Sequence, residues 1–134
     1  MRLKPVTVYI GTFLFIMLSF GCSQQVKYEN ELENVCKNIN AKCPKMLDSE
    51  TRFEGVQYLA PNAIHYKYTL VNMGAAVVDT HAFNNSLWPG LVSNIKVSHD
   101  MKKLREHETT LFYSYFDKSS RLIYTFTITA NDYK

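Results

Sequence analysis

Two stretches of strict alternation constrain this chain most. In "AIHYKYTL" (63–70), Ile64, Tyr66, Tyr68 and Leu70 take every second place, with His65, Lys67 and Thr69 between them. In "RLIYTFTI" (121–128), Leu122, Tyr124, Phe126 and Ile128 alternate with Ile123, Thr125 and Thr127. A period of two is that of a strand with one face turned to a core, whereas a helix would scatter the same residues around its axis. Each stretch has a partner upstream: "TRFEGVQYL" across the turn "APN", and "TLFYSYF" across "DKSS". Both read as hairpins. A shift of 58 residues lays Ile64 on Leu122, Tyr66 on Tyr124, Tyr68 on Phe126, Leu70 on Ile128 and Phe53 on Leu111. Two helix–hairpin units, related as a pseudo-repeat, are one expectation from that overlay.

Helices fill the spaces between the strands. "SQQVKYENELENVCKNI" carries Val26, Leu32, Val35, Cys36 and Ile39 as an approximate apolar stripe. "CPKMLDSETRF" is rich in turn formers and reads as a connection. "SLWPGLVSNIKV" starts a second helix with Pro89 in its first turn and Leu87, Leu91, Val92 and Ile95 as its buried side. "HDMKKLREHE" is a short third helix, capped by Ser98, that buries Met101 and Leu104. The expected fold is α+β: a mostly antiparallel four-stranded sheet with helices on one face, in the order α-β-β-α-β-β.

The amino end does not belong to that fold. "MRLKP" places Arg2 and Lys4 ahead of "VTVYIGTFLFIMLSFG" (6–21), which has no charged residue, and the first acidic residue is Glu29. A basic start, an apolar run and a small residue at the boundary form an export signal, set aside in fold reasoning. Roughly 20 apolar residues span a bilayer, so the run is slightly short for a permanent anchor. Gly21 and Cys22, followed by the polar "SQQ", resemble the end of a bacterial lipoprotein signal, although Leu18 lies one place early and Ser19 and Phe20 depart from that pattern. The resemblance implies cleavage before Cys22, a diacylglyceryl group on that cysteine and, with Ser23 rather than Asp next, sorting to the outer membrane. An uncleaved inner-membrane signal anchor is the alternative, and ordinary secretion the third. Residues 1–21 are then the signal peptide, 22–30 the lipidated cysteine and its tether, and 31–134 a single periplasmic domain. The carboxyl half, in which a basic short helix leads into "YSYFDKSSRLIYTFTIT", resembles small uncharacterised exported bacterial proteins, and that resemblance implies export and fold only.

Removing 21 of 134 residues leaves 113, enough for one modest core. Arg2 and Lys4 leave with the signal, so 13 basic residues face 12 acidic ones in what remains. No Lys/Arg cluster makes a phosphate-reading face, and nucleic acid is not an expected partner. Cys36 and Cys43 remain, and in an oxidising compartment two such thiols are expected to form a disulfide. Seven helical steps would hold their Cα atoms about 10 Å apart. The bond therefore requires the helix to end near "NINAK", where Asn residues and Pro44 favour an end.

Little in the sequence points to catalysis. The four His residues form no HExxH and no close pair, and His99 and His107 are eight apart. No Ser lies in a GxSxG elbow, and the five Gly residues form no phosphate loop. Glu29, Glu31 and Glu33 read as a solvated helix face. The chain is not expected to be an enzyme, and no metal or cofactor is expected. The aromatic strand is the more telling feature, because Phe112 and Phe116 alternate with Tyr113 and Tyr115, making both of its faces aromatic. One aromatic face left open would form a protein-binding patch of Phe112, Tyr113, Tyr115 and Phe116. The expected role is a membrane-tethered periplasmic lipoprotein, non-catalytic, binding another envelope protein in assembly, secretion-accessory or exclusion work. The alternative is a carrier or sensor of a small apolar ligand held between sheet and helices.

Overall fold

The computed structural model describes residues 19–134; the signal sequence expected at the amino end lies, as far as residue 18, outside the described residues. Helix α1 (Ser19–Asn40) leads to a two-residue strand β1 (Lys45–Met46) and the hairpin of β2 (Thr51–Leu59) and β3 (Ala63–Leu70). A 3-10 turn (Ala75–Val77), helix α2 (Thr80–Val97) and short helix α3 (Lys102–Glu106) then cross to the hairpin of β4 (Thr110–Phe116) and β5 (Leu122–Ile128). One turn of helix, α4 (Ala130–Tyr133), closes the chain.

The class is α+β with both long helices on one face, but the sheet differs from the expected one. It has five strands in the order β1-β2-β3-β4-β5, and it is mixed, because β3 and β4 run parallel while the other pairs are antiparallel. The extra strand arises in the segment read as a connection. Asp48 accepts the amides of Glu50 (2.8 Å) and Thr51 (2.7 Å), turning the chain so that Lys45 and Met46 lie against Phe53 and Arg52.

The parallel pairing also removes the pseudo-repeat. The overlay at 58 residues does carry β2 onto β4 and β3 onto β5 in position along the chain. Yet β3∥β4 means that the second hairpin runs opposite to the first while keeping the same strand order and the same helix-covered face. Only a mirror operation relates two such units, and no rotation of L-residue chains can supply one. The likeness is that of similar strands, not of a duplicated unit.

Helix α1 buries Tyr28, Leu32 and Cys36, while Val26 (55% exposed) and Val35 (44%) face outward. The predicted stripe overlooked Tyr28, whose ring stacks on His107 and whose hydroxyl shares a 2.6 Å hydrogen bond with Thr109 Oγ1. Residues 22–30, expected as a tether, are thus helical, and the core already begins within them.

Helix α2 starts earlier than predicted, at Thr80, because Asp79 caps it by accepting the amides of His81 (2.9 Å) and Ala82 (3.1 Å). Pro89 therefore sits mid-helix, on an exposed position, rather than in the first turn. In α3, Ser98 acts through its backbone, its carbonyl accepting from Met101 N and Arg105 Nη1 rather than its side chain capping. Leu104 is buried as expected. At the centre, Ile95, Leu111, Phe126 and Ile128 are almost wholly enclosed. Each contributes about 1.5–3 kcal/mol by leaving water.

Candidate functional site

The end of α1 is fixed to the sheet by one side chain. Asn40 accepts the amide of Val56 (2.8 Å) and donates to its carbonyl (2.7 Å), taking the place of a neighbouring strand at that residue. The fit requires Gly55, whose φ is +149° and whose Cβ, if present, would lie 2.7 Å from Asn40 Oδ1. A bulge between Phe53 and Gly55 opens the ladder there.

Beyond this clamp the chain swings out through Ala41 and Lys42, passes a cis Cys43–Pro44 bond and returns as β1. Between the last turns of α1 and β1 lies an open groove of about 390 Å³. Val35, Ile39, Cys43, Leu47 and Phe53 give it apolar walls, and Asn38, Lys42 and Lys45 supply its polar rim. No acidic residue lines it. Leu47 (54% exposed) and Val35 stand open to solvent here, with Met46 (46%) beside them on β1. A solvent-exposed apolar channel with a cationic rim suits an apolar segment that carries acidic flanks.

The predicted aromatic patch is divided by the sheet. Tyr113 and Tyr115 point into the core, 4% and 8% exposed, and are corrected from surface to core residues. Their rings stack on Tyr66 and Tyr68, each at 5.0 Å. Burial pushes the Tyr66 hydroxyl up to about 12 and raises those of Tyr68 and Tyr113 as well. Phe112 and Phe116 occupy the opposite, helix-free face and are half-buried. Among the described residues the helices lie on one side only, which leaves that second face open.

The open face also carries a polar chain that the sequence did not announce. His65 Nε2 lies 2.7 Å from Ser114 Oγ, which lies 2.7 Å from Thr125 Oγ1. Burial, then the Lys67 charge, lowers the His65 pKa. Ser114 is 2% exposed and held from both sides, so the three residues join three strands and do not present a nucleophile.

Cys36 and Cys43 stand as separate thiols and not as the expected disulfide. The Asn40 clamp keeps the helix intact past Cys36, turning that residue toward the core, where burial raises its thiol pKa. Cys43 instead lines the groove, its thiol 3.4 Å from the Ile39 carbonyl. Cys22 is exposed on α1. Among the described residues, no three His, Cys, Asp or Glu side chains converge as a metal site, and no helix is long and apolar enough to cross a membrane. The space between sheet and helices, where a small ligand was the alternative expectation, is occupied by Leu111, Phe126, Ile128 and Ile95.

A mixed five-stranded sheet with helices on one face places the chain with a group of small solved bacterial domains. A Pseudomonas aeruginosa protein described as secreted superposes with a TM-score of 0.69 at 15% identity, over 82% of this chain and 96% of that one. The pilotin EpsS of the Vibrio vulnificus type 2 secretion system gives 0.66 at 12% identity, over 84% and 96%. The type II secretion system pilotin AspS of Vibrio cholerae gives 0.61 at 9% identity, over 83% and 96%. At these identities the likeness establishes a shared fold. The chain itself belongs to the family described as domain of unknown function DUF8479, whose pattern matches residues 27–125. No curated protein matches it in sequence.

Proposed function

We propose that this chain is a lipid-anchored accessory protein of the bacterial cell envelope, non-catalytic, which holds a segment of an envelope protein in the groove beside α1. The observation that carries the reading is that groove: exposed apolar side chains, a lysine rim and no acidic residue, on a domain whose interior is otherwise filled. The fold shared with two secretion-system pilotins supports a secretion-accessory role. Phe112 and Phe116 on the open sheet face form a second apolar surface available to the same partner. Cys22 is the anchor, and outer-membrane attachment follows from Ser23 beside it.

Two measurements test this reading. Mass spectrometry of membrane-extracted protein should find a mature amino terminus at Cys22 bearing acyl chains, and Cys22→Ser should block processing; an intact Met1 contradicts the anchor. In crosslinked membranes, Leu47→Asp should release an envelope protein that the wild type retains, with melting unchanged. Equal retention by both contradicts the groove.

A further inference from the structure

The two edges of the sheet are treated differently. At one edge β1 is only two residues long, follows Pro44 and carries Lys45. Short length, proline and lysine are the ordinary protections of an edge. At the other edge β5, "LIYTFTI", has seven residues with no charge, no proline and no glycine. Alternate backbone groups of an edge strand point away from its one neighbour. Among the described residues, no loop or helix backbone bonds to residues 122–128. Leu122, opposite Phe116 beyond an irregularity in the β4–β5 register, is 56% exposed.

We propose that β5 pairs antiparallel with β5 of a second copy of this chain, about a two-fold axis through Thr125, joining two sheets edge to edge. In that register Tyr124 comes opposite the partner's Phe126, Ile123 opposite Thr127, and the exposed Leu122 opposite Ile128. No like charges meet across the seam, because residues 122–128 carry none. At its ends Arg121, whose side chain is 62% exposed and pairs with Asp117 of its own chain, comes opposite the other copy's Thr129. A two-fold axis normal to the sheet keeps both helix layers on one side, as an isologous contact requires. This pairing is independent of the groove and of what the groove holds.

The test uses the full chain in native membranes. Thr125→Cys sits on the axis, where facing Cβ atoms lie about 5 Å apart. A short bifunctional thiol reagent should convert Thr125→Cys to a species of twice the mass, while the wild type, with only its native Cys36 and Cys43 thiols, stays single. Sedimentation of unmodified wild-type chain in detergent should show a concentration-dependent doubling of mass, which keeps the test valid if the variant folds poorly. A monomer at every concentration overturns the proposal. So does a dimer that Thr125→Cys fails to trap, or an adduct of Thr125→Cys with a different protein.

Discussion

The two halves of this molecule use the same parts, a helix laid on a hairpin, and finish them differently. In the second half α2 sinks Ile95 fully into the core and sets Phe83 and Trp88 against Phe126, which also meets Tyr115 and Tyr124. In the first half the end of α1 is held by polar bonds from Asn40, and Val35, Leu47 and Met46 stay exposed around a groove. One half spends its apolar residues on stability and the other keeps some available. The difference places the densest packing in β4, β5 and α2, and leaves the end of α1 as the surface proposed for recognition.

Truncating one aromatic in each half should separate the two halves most clearly. Phe126→Ala should cost about 3–5 kcal/mol, as for a fully enclosed ring, whereas Phe53→Ala, half-buried on the groove wall, should cost clearly less. Equal losses in denaturant titration would mean that the two halves are packed alike. The next effect concerns Asp117, fully enclosed at the β4–β5 turn. Its carboxylate accepts the Ala75, Arg121 and Ser119 amides and pairs with Arg121 Nε, and these donors, Ala75 foremost, hold its pKa well below the usual range. Because the native value is depressed, the stabilisation is complete above the unfolded value of about 3.9 and vanishes as pH falls through the native one. Asp117→Asn should therefore lower the melting temperature at pH 7, and the gap from wild type should close on acidification. A gap independent of pH would show that the carboxylate charge plays no part.

A smaller effect is expected in the first half. Asn40→Ala leaves the amide and carbonyl of Val56 without partners and should cost about 1–3 kcal/mol. It should also loosen the groove, raising hydrogen exchange at Val56 while β4 and β5 stay protected. Uniform deprotection of the sheet would contradict the local role of the clamp.

Much of the fold could be read from the chain because alternation is a strong signal. All four long strands, both turns and the core side of β3 follow from it. Two elements carried only short-range signals. Strand β1 depends on Asp48 folding the chain back, and α4 depends on Thr129 and Asp132, which satisfy each other's backbone and side chain in a capping box. The parallel β3–β4 pairing has no local signal at all, since it is decided by where α2 and α3 deliver the chain. Sequence periodicity was misleading in α1, where Val26 and Val35 occupy apolar places in the stripe yet face outward. That misreading concealed the site, because Val35 is one of its walls. The aromatic run in β4 drew attention to both of its faces. Only the enclosure of Tyr113 and Tyr115 under helices reveals which face is core.

In the proposed reading the partner sits in the groove beside α1 and not on the aromatic hairpin. Site-specific photo-crosslinking in intact cells distinguishes the two. A photoreactive residue at Leu47 should yield a discrete adduct with an envelope protein, and Val35→Asp in the same chain should abolish that adduct without changing the melting temperature. A photoreactive residue at Lys37, outside the groove lining, should yield none. An adduct formed at Phe112 or Phe116 with none at Leu47 would contradict the account and move the partner to the open face of the sheet.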